Sequence, residues 1–317
     1  MRVTDPRRLA RRRLQAFARQ VPLAVAGDIE GVHQARVASR RLRELLPLFA
    51  VTPRCAPVAR TLRTHVRRLT RVLGPVREID VSVMTLDQVI AQHPGLEAAA
   101  AAVRDALEGQ RVTASARMID MLASADLDDL STRTCRLAKD LAAPAVRSRM
   151  AATLAARIGA RGQGVRAALN AAGALYAPDR IHRVRIALLK FRYALELAED
   201  VGRLRLRGTI DRLKSLQDVL GLLHDLEVLA ASVRDCGADA TASAAQAALA
   251  DLARALDDEI RQHHSRFLSA RRSLTMVFHW ARHAQVRLRR KARSGPPRPH
   301  PPRRRRSMRR IDAGQRS

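Results

Sequence analysis

Two stretches of this chain repeat one another in order and spacing. A duplicated unit limits the possible folds more than any other feature, because both copies must adopt one local structure and then pack together. Residues 31–49 read GVHQARVASRRLRELLPLF and residues 180–198 read RIHRVRIALLKFRYALELA. At an offset of 149, His33 falls on His182, Arg36 on Arg185, Val37 on Ile186, Ala38 on Ala187, Arg41 on Lys190 and Arg43 on Arg192. A second block follows each copy. RRLTRVLGPVREIDV at 67–81 matches KSLQDVLGLLHDLEV at 214–228 at an offset of 147, with Arg67 on Lys214, Val72-Leu73-Gly74 on Val219-Leu220-Gly221 and Glu78 on Asp225. Two blocks in one order at nearly one offset imply a duplicated unit of about 150 residues, and hence a pseudo-twofold pair of bundles.

The units read as helical. Ala, Leu and Arg are strong helix formers, β-branched runs are missing, and no alternating pattern bounded by hairpin turns occurs. Breaks are expected where Pro or Gly punctuates the pattern: Pro22 to Asp28, Thr52-Pro53, Gly74-Pro75, Pro94-Gly95, Pro178-Asp179, Gly202, Gly221 and Gly237. Between Leu96 and Leu175 clear stops are scarce, so the sequence sets no helix limits there. Antiparallel helices joined by short loops are the expected architecture.

On a helix each residue turns about 100°, so with His33 at zero, Arg36 falls at about 300°, Arg40 at about 340° and Arg43 at about 280°. Four basic groups share one stripe, while Ala35, Leu42, Leu45, Leu46 and Phe49 gather on the core side. Like charges on one helix face repel one another, and only Glu44 is acidic between His33 and Phe49. Such a face calls for an anion from outside, and guanidinium forks suit repeated phosphate oxygens through paired, charge-assisted hydrogen bonds. In the second copy, Leu189 stands at the place of Arg40. His182, Arg185 and Arg192 keep the stripe, and Lys190 projects to one side like Arg41. Ile186, Leu188, Tyr193 and Leu197 spread apolar character around that helix, so it should be the more buried. The two histidines can donate to phosphate and would make binding pH-sensitive. On the following helix Arg63, Arg67 and Arg71 recur every four residues, with Lys214 as their counterpart in the second unit. Glu78, Asp80, Asp225 and Glu227 sit just past the expected Leu-Gly breaks and read as structural, either as helix N-terminal acids or as partners holding an arginine in position.

Overall charge agrees with a polyanion ligand: 59 Lys plus Arg stand against 30 Asp plus Glu, a net charge of +29. A GC-rich genome would explain arginine over lysine, but not twice as many cations as anions. From Arg287 onward there are thirteen basic residues and one acid, and residues 294–317 read as a disordered basic tail rich in Pro and Arg. The three cysteines are scattered without metal-ligand spacing, the basic N-terminus has no apolar signal segment, and no apolar run is long enough to span a membrane. These features lead us to expect a cytoplasmic protein with no membrane partner, no metal and no cofactor; the sequence leaves its oligomeric state open.

The pattern H-x-x-R-[VI]-A-x-x-[RK]-x-R, present twice and each time followed by Leu-Gly-x-x-[RH]-[DE], resembles the CHAD family, the conserved-histidine α-helical domain. The resemblance covers residues 6–293, with units at about 6–150 and 151–293. It implies an all-α fold of two pseudo-symmetric antiparallel four-helix units around a basic central cavity. It further implies binding of inorganic polyphosphate, with association with polyphosphate granules. Carried over by position, the family's site maps to His33, Arg36, Arg40, Arg41 and Arg43, and to His182, Arg185, Lys190 and Arg192. Both cationic arrays should then point into one recess free of carboxylates.

Three function classes follow. The first is non-catalytic polyphosphate binding, with no enzymatic activity. The second is nucleic-acid binding through the basic surface and tail, disfavoured by only eight aromatic residues in the chain. The third is a phosphohydrolase, suggested by His224-Asp225, for which further metal-ligating His and Asp residues are missing from the sequence pattern. No P-loop or nucleophile-elbow motif is present.

Overall fold

Helices begin where a side chain or a missing amide disposes of the unpaired N–H groups of a first turn. The Asp5, Asp28 and Asp126 carboxylates accept hydrogen bonds from the amides of Arg7, Gly31 and Asp129. Pro6, Pro144 and Pro178 open their helices, where the absent amide costs nothing. The structure, a computed structural model, describes residues 4–239 and 242–293. The described residues are all-α and contain no strand. In order the helices are α1 (Pro6–Ala18), α2 (Val21–Val25), α3 (Ile29–Leu45), α4 (Cys55–Gln92), α5 (Glu97–Ala123), α6 (Leu127–Asp140), α7 (Pro144–Ala172), α8 (Pro178–Gly202), α9 (Arg207–Asp239), α10 (Ser243–Ala270) and α11 (Leu274–Arg293). The expected tail at 294–317 lies outside the described residues.

Three of the expected breaks do not occur. Helix α4 runs through Gly74-Pro75, and α9 runs through Gly221 and past Gly237. A proline inside a helix costs about 3 kcal/mol. Against that, α4 buries Leu62, Val66, Leu69, Leu73, Val76 and Ile79 in one continuous stripe, each such side chain contributing about 1.5–3 kcal/mol. In α9 the stripe is Leu213, Leu216, Leu220, Leu223 and Leu226. Packing outweighs the local signal in both. As a result Glu78 and Asp225 sit within helices, which corrects their reading as helix N-terminal acids. Elsewhere the punctuation holds: turns separate α3 from α4 and α4 from α5, and Arg203, in the left-handed region at φ 48°, ends α8 directly after Gly202.

Helices of the first repeat copy face those of the second: α3 packs on α8, α4 on α9, and α5 on α9 and α10. One hydrophobic cluster runs through both copies. Ion pairs cross between them as well, with Arg12 and Arg13 on Asp200, Arg41 on Glu196 at 3.0 Å, and Arg161 on Glu44 at 2.8 Å. No described helix is long and apolar enough to cross a membrane.

Candidate functional site

Helix α3 buries Val32, Ala35, Ala38, Leu42 and Leu45, and with that face committed to the core its cationic stripe is left where α3 meets α4, α8 and α9. A cavity of about 330 Å³ opens there. Helix α3 contributes His33, Arg36, Val37 and Arg40; α4 contributes Arg77, Glu78 and Val81; α8 contributes His182, Arg185 and Ile186; α9 contributes His224 and Asp225. Most of this lining comes in repeat-equivalent pairs. His33 and His182, Arg36 and Arg185, Val37 and Ile186, Arg77 and His224, and Glu78 and Asp225 all face the same space.

The Arg36 guanidinium lies directly against the backbone of α4. A Cβ at Gly74 would stand 2.8 Å from Arg36 Nη1, so any side chain there would make the guanidinium shift from its place. Gly221, the repeat equivalent, has nothing within 4 Å of that position. The two glycines are therefore alike in sequence and different in duty.

Crowded, partly desolvated cations titrate at lower pH. Burial, reinforced by Arg40 and Arg185, pushes Arg36 down to about 10 against the opposing pull of Glu78. Arg185 is lowered by burial and by Arg40, with Asp225 opposing. His33 lies below its ordinary value, first through burial and then through Arg77. His182 is lowered by burial and by its neighbours His224 and Arg185; the His182 and His224 rings lie 4.9 Å apart. Burial raises the Asp225 carboxyl, which Arg185, His224 and Arg77 pull back toward the charged form.

The recess is not free of carboxylates, as the sequence suggested it would be: Glu78 and Asp225 line it. Each offsets a nearby arginine without closing on it. Among the described residues, no carboxylate comes within 4.0 Å of Arg36, Arg40, Arg77 or Arg185 as an ion pair. Four guanidiniums thus face two carboxylates in one pocket, and the excess is positive.

Other expected site residues lie elsewhere. Arg41 donates to Glu196 at 3.0 Å, and Arg192 lies 3.7 Å from the same carboxylate and 5.4 Å from the Tyr193 ring centre. Arg43 is half-buried near Arg40, Glu44 and Arg63 but does not line the cavity. Arg63, Arg67, Arg71, Lys190 and Lys214 are exposed and outside the lining. Asp80, buried, holds Arg111 at 2.7 Å, and Glu227 accepts a hydrogen bond from the Tyr176 hydroxyl while lying 3.7 Å from His224. Asp80 holds an arginine, as one of the two expected roles has it, whereas Glu227 is engaged by a tyrosine and a histidine, and neither acid stands at a helix N-terminus. Arg77 and His224 are the lining residues that reasoning from the stripe overlooked, although the repeat alignment sets them opposite each other. Among the described residues, no three His, Cys, Asp or Glu side chains are grouped to hold a metal ion.

The CHAD domain family model matches residues 8–234. The crystal structure of the CHAD domain from the plant Ricinus communis is 26% identical, with a TM-score of 0.55, over 81% of this chain and 89% of that one. PptA from Streptomyces chartreusis shares the fold at 18% identity and a TM-score of 0.59, over 85% of this chain and 96% of that one. No curated protein matches the chain significantly.

Proposed function

The chain belongs to the CHAD domain family, and from that premise we propose that it binds inorganic polyphosphate in the cavity between α3, α4, α8 and α9 without chemically altering it. The observation that carries this reading is the convergence of repeat-equivalent cations on one space. A ligand made of identical anionic units suits a site to which both copies bring a histidine and an arginine, with Arg40 and Arg77 adding further charge from the first. Arg36 and Arg185 are the central phosphate forks, Arg40 and Arg77 flank them, and His33 and His182 add ring N–H donors. Glu78 and Asp225 offset part of the charge of Arg36 and Arg185. Exposed Arg63, Arg67, Arg71, Lys190 and Lys214, with Arg43, would guide a long chain beyond the cavity. Arg41 and Arg192, engaged by Glu196, serve the frame. Residence in the cytoplasm at polyphosphate granules belongs to the same proposal.

Calorimetric titration with long-chain polyphosphate tests it. A hydrogen bond to a charged group contributes about 1.5–3 kcal/mol, so Arg36→Ala combined with Arg185→Ala should weaken binding by at least about 100-fold. Wild-type affinity should also fall steeply with salt as counterion release predicts. Unchanged affinity in the double variant overturns the site. Shortening of polyphosphate during incubation with Mg²⁺ or Mn²⁺, abolished by Asp225→Ala, overturns the non-catalytic reading.

A further inference from the structure

The chain has a single tryptophan, Trp280, and it is 46% exposed on α11. Its helix buries Val277, Ala281, Ala284 and Leu288 in the core, and the indole stands at the edge of that face, outside the hydrophobic cluster. The ring forms the wall shared by two adjoining grooves of about 630 and 260 Å³, set between α11 and the turn that leads into α9. In that turn Leu204 and Leu206 are buried and pin the backbone, which leaves Arg205 between them exposed toward the grooves. Arg212, Arg282 and Arg287 complete an exposed cationic rim. None of these four forms an ion pair among the described residues, and α11 contains no acid. His279 and His283, whose own ring centres are 4.6 Å apart, pack together against one side of the indole at 5.8 and 5.9 Å. The groove is separate from the polyphosphate cavity, because Arg185 and the far end of α8 at Gly202 are about 25 Å apart along the helix. Its α11 wall, with Trp280, also lies beyond the residues that the family model matches.

We propose that this groove binds single-stranded nucleic acid, with Trp280 stacking on a base and Arg205, Arg212, Arg282 and Arg287 engaging the phosphates. An exposed indole ringed by arginines is redundant for a ligand made only of phosphate. It suits a ligand that alternates a π-face with a charge, the combination by which single strands are held irrespective of sequence. The chain's own residues 294–317 are strongly basic and repel such a rim, so the occupant comes from outside. A flat anionic bilayer cannot follow a concave groove between two helices, whereas a flexible strand can.

Because Trp280 is the sole tryptophan, its fluorescence reports on the groove alone. The full chain is titrated with single-stranded dT and rU 20-mers, with polyphosphate at equal phosphate concentration, and with vesicles of anionic phospholipid. The 20-mers should quench Trp280, and the stronger quencher identifies DNA or RNA as the preferred source. Trp280→Ala should weaken oligonucleotide binding about tenfold and leave polyphosphate affinity unchanged, with Trp280→Phe restoring most of the loss. Arg205→Ala with Arg287→Ala should reduce quenching while the retained indole shows that the fold persists. Quenching must survive Arg36→Ala with Arg185→Ala, which separates this site from the cavity. Equal oligonucleotide affinity without the indole, no quenching by either 20-mer, or a response to vesicles alone overturns the proposal.

Discussion

A histidine set among arginines stays neutral until an anion arrives, and both repeat histidines are in that position. His33 and His182 are depressed below the ordinary 6.5 by burial and by neighbouring cations. A polyanion in the cavity reverses the local field and favours their charged forms, so binding takes up protons. Polyphosphate affinity should therefore rise as pH falls through 6.5 toward the depressed values, by up to about tenfold per pH unit for each histidine protonated. The free protein behaves oppositely. Its unfolded state accepts these protons more readily, so stability is complete above 6.5 and is lost as pH falls below it. Titrations at pH 7.5 and 5.5, assay values chosen to span that range, check the first sign and urea unfolding the second. His33→Gln with His182→Gln should flatten both. The residue scale also shows where the sequence was readable: the stripe of His33, Arg36 and Arg40 and the i,i+4 pair of Arg192 with Glu196 follow from helix periodicity alone, whereas the capture of Arg41 by Glu196 depends on a partner helix.

A glycine in mid-helix is normally a weakness, and α4 carries one next to a proline. Its length of 38 residues is set by the buried stripe, which overrides the break that Gly74-Pro75 announces. The glycine nevertheless has a reason to be there, since a methyl group would collide with the Arg36 guanidinium. Gly74→Ala should then separate stability from binding. Helix propensity gains up to about 1 kcal/mol, while the displaced Arg36 weakens polyphosphate binding severalfold. Gly221→Ala, with open space around the added methyl, should gain the same stability with affinity intact. Thermal unfolding and calorimetry on the two variants distinguish a packing glycine from a merely tolerated one. Gly74 and Gly221 look interchangeable in the repeat alignment, and only the approach of a side chain from α3 tells them apart.

At the scale of the whole molecule, the repeat copies are joined by a shared core and by acids that each serve arginines across the boundary. Glu44 on α3 holds Arg161 at 2.8 Å, and its backbone carbonyl accepts from Arg157 at 2.9 Å, both arginines lying on α7. Burial pushes Arg157 down to about 10, a sign that it depends on this partner. Glu44→Gln should lower unfolding stability by about 2–3 kcal/mol, because breaking a largely buried pair strands the remaining charge. The loss should appear in one cooperative urea transition, since the hydrophobic cluster spans both copies. Two separate transitions would show the copies to be independent.

The sequence by itself determined the helical class, the duplicated unit, the cationic stripe and its apolar reverse, because these depend on propensity and on the 3.6-residue period, which are properties of neighbours along the chain. Tertiary structure alone decided which cations remain available to a ligand. Neutralisation is a matter of distance in space, so Arg41 was withdrawn by Glu196 of α8 while Arg77 and His224 were brought into the lining. It also decided that α4 and α9 stay unbroken, since the burial that opposes a local break exists only once the partner helix is in place.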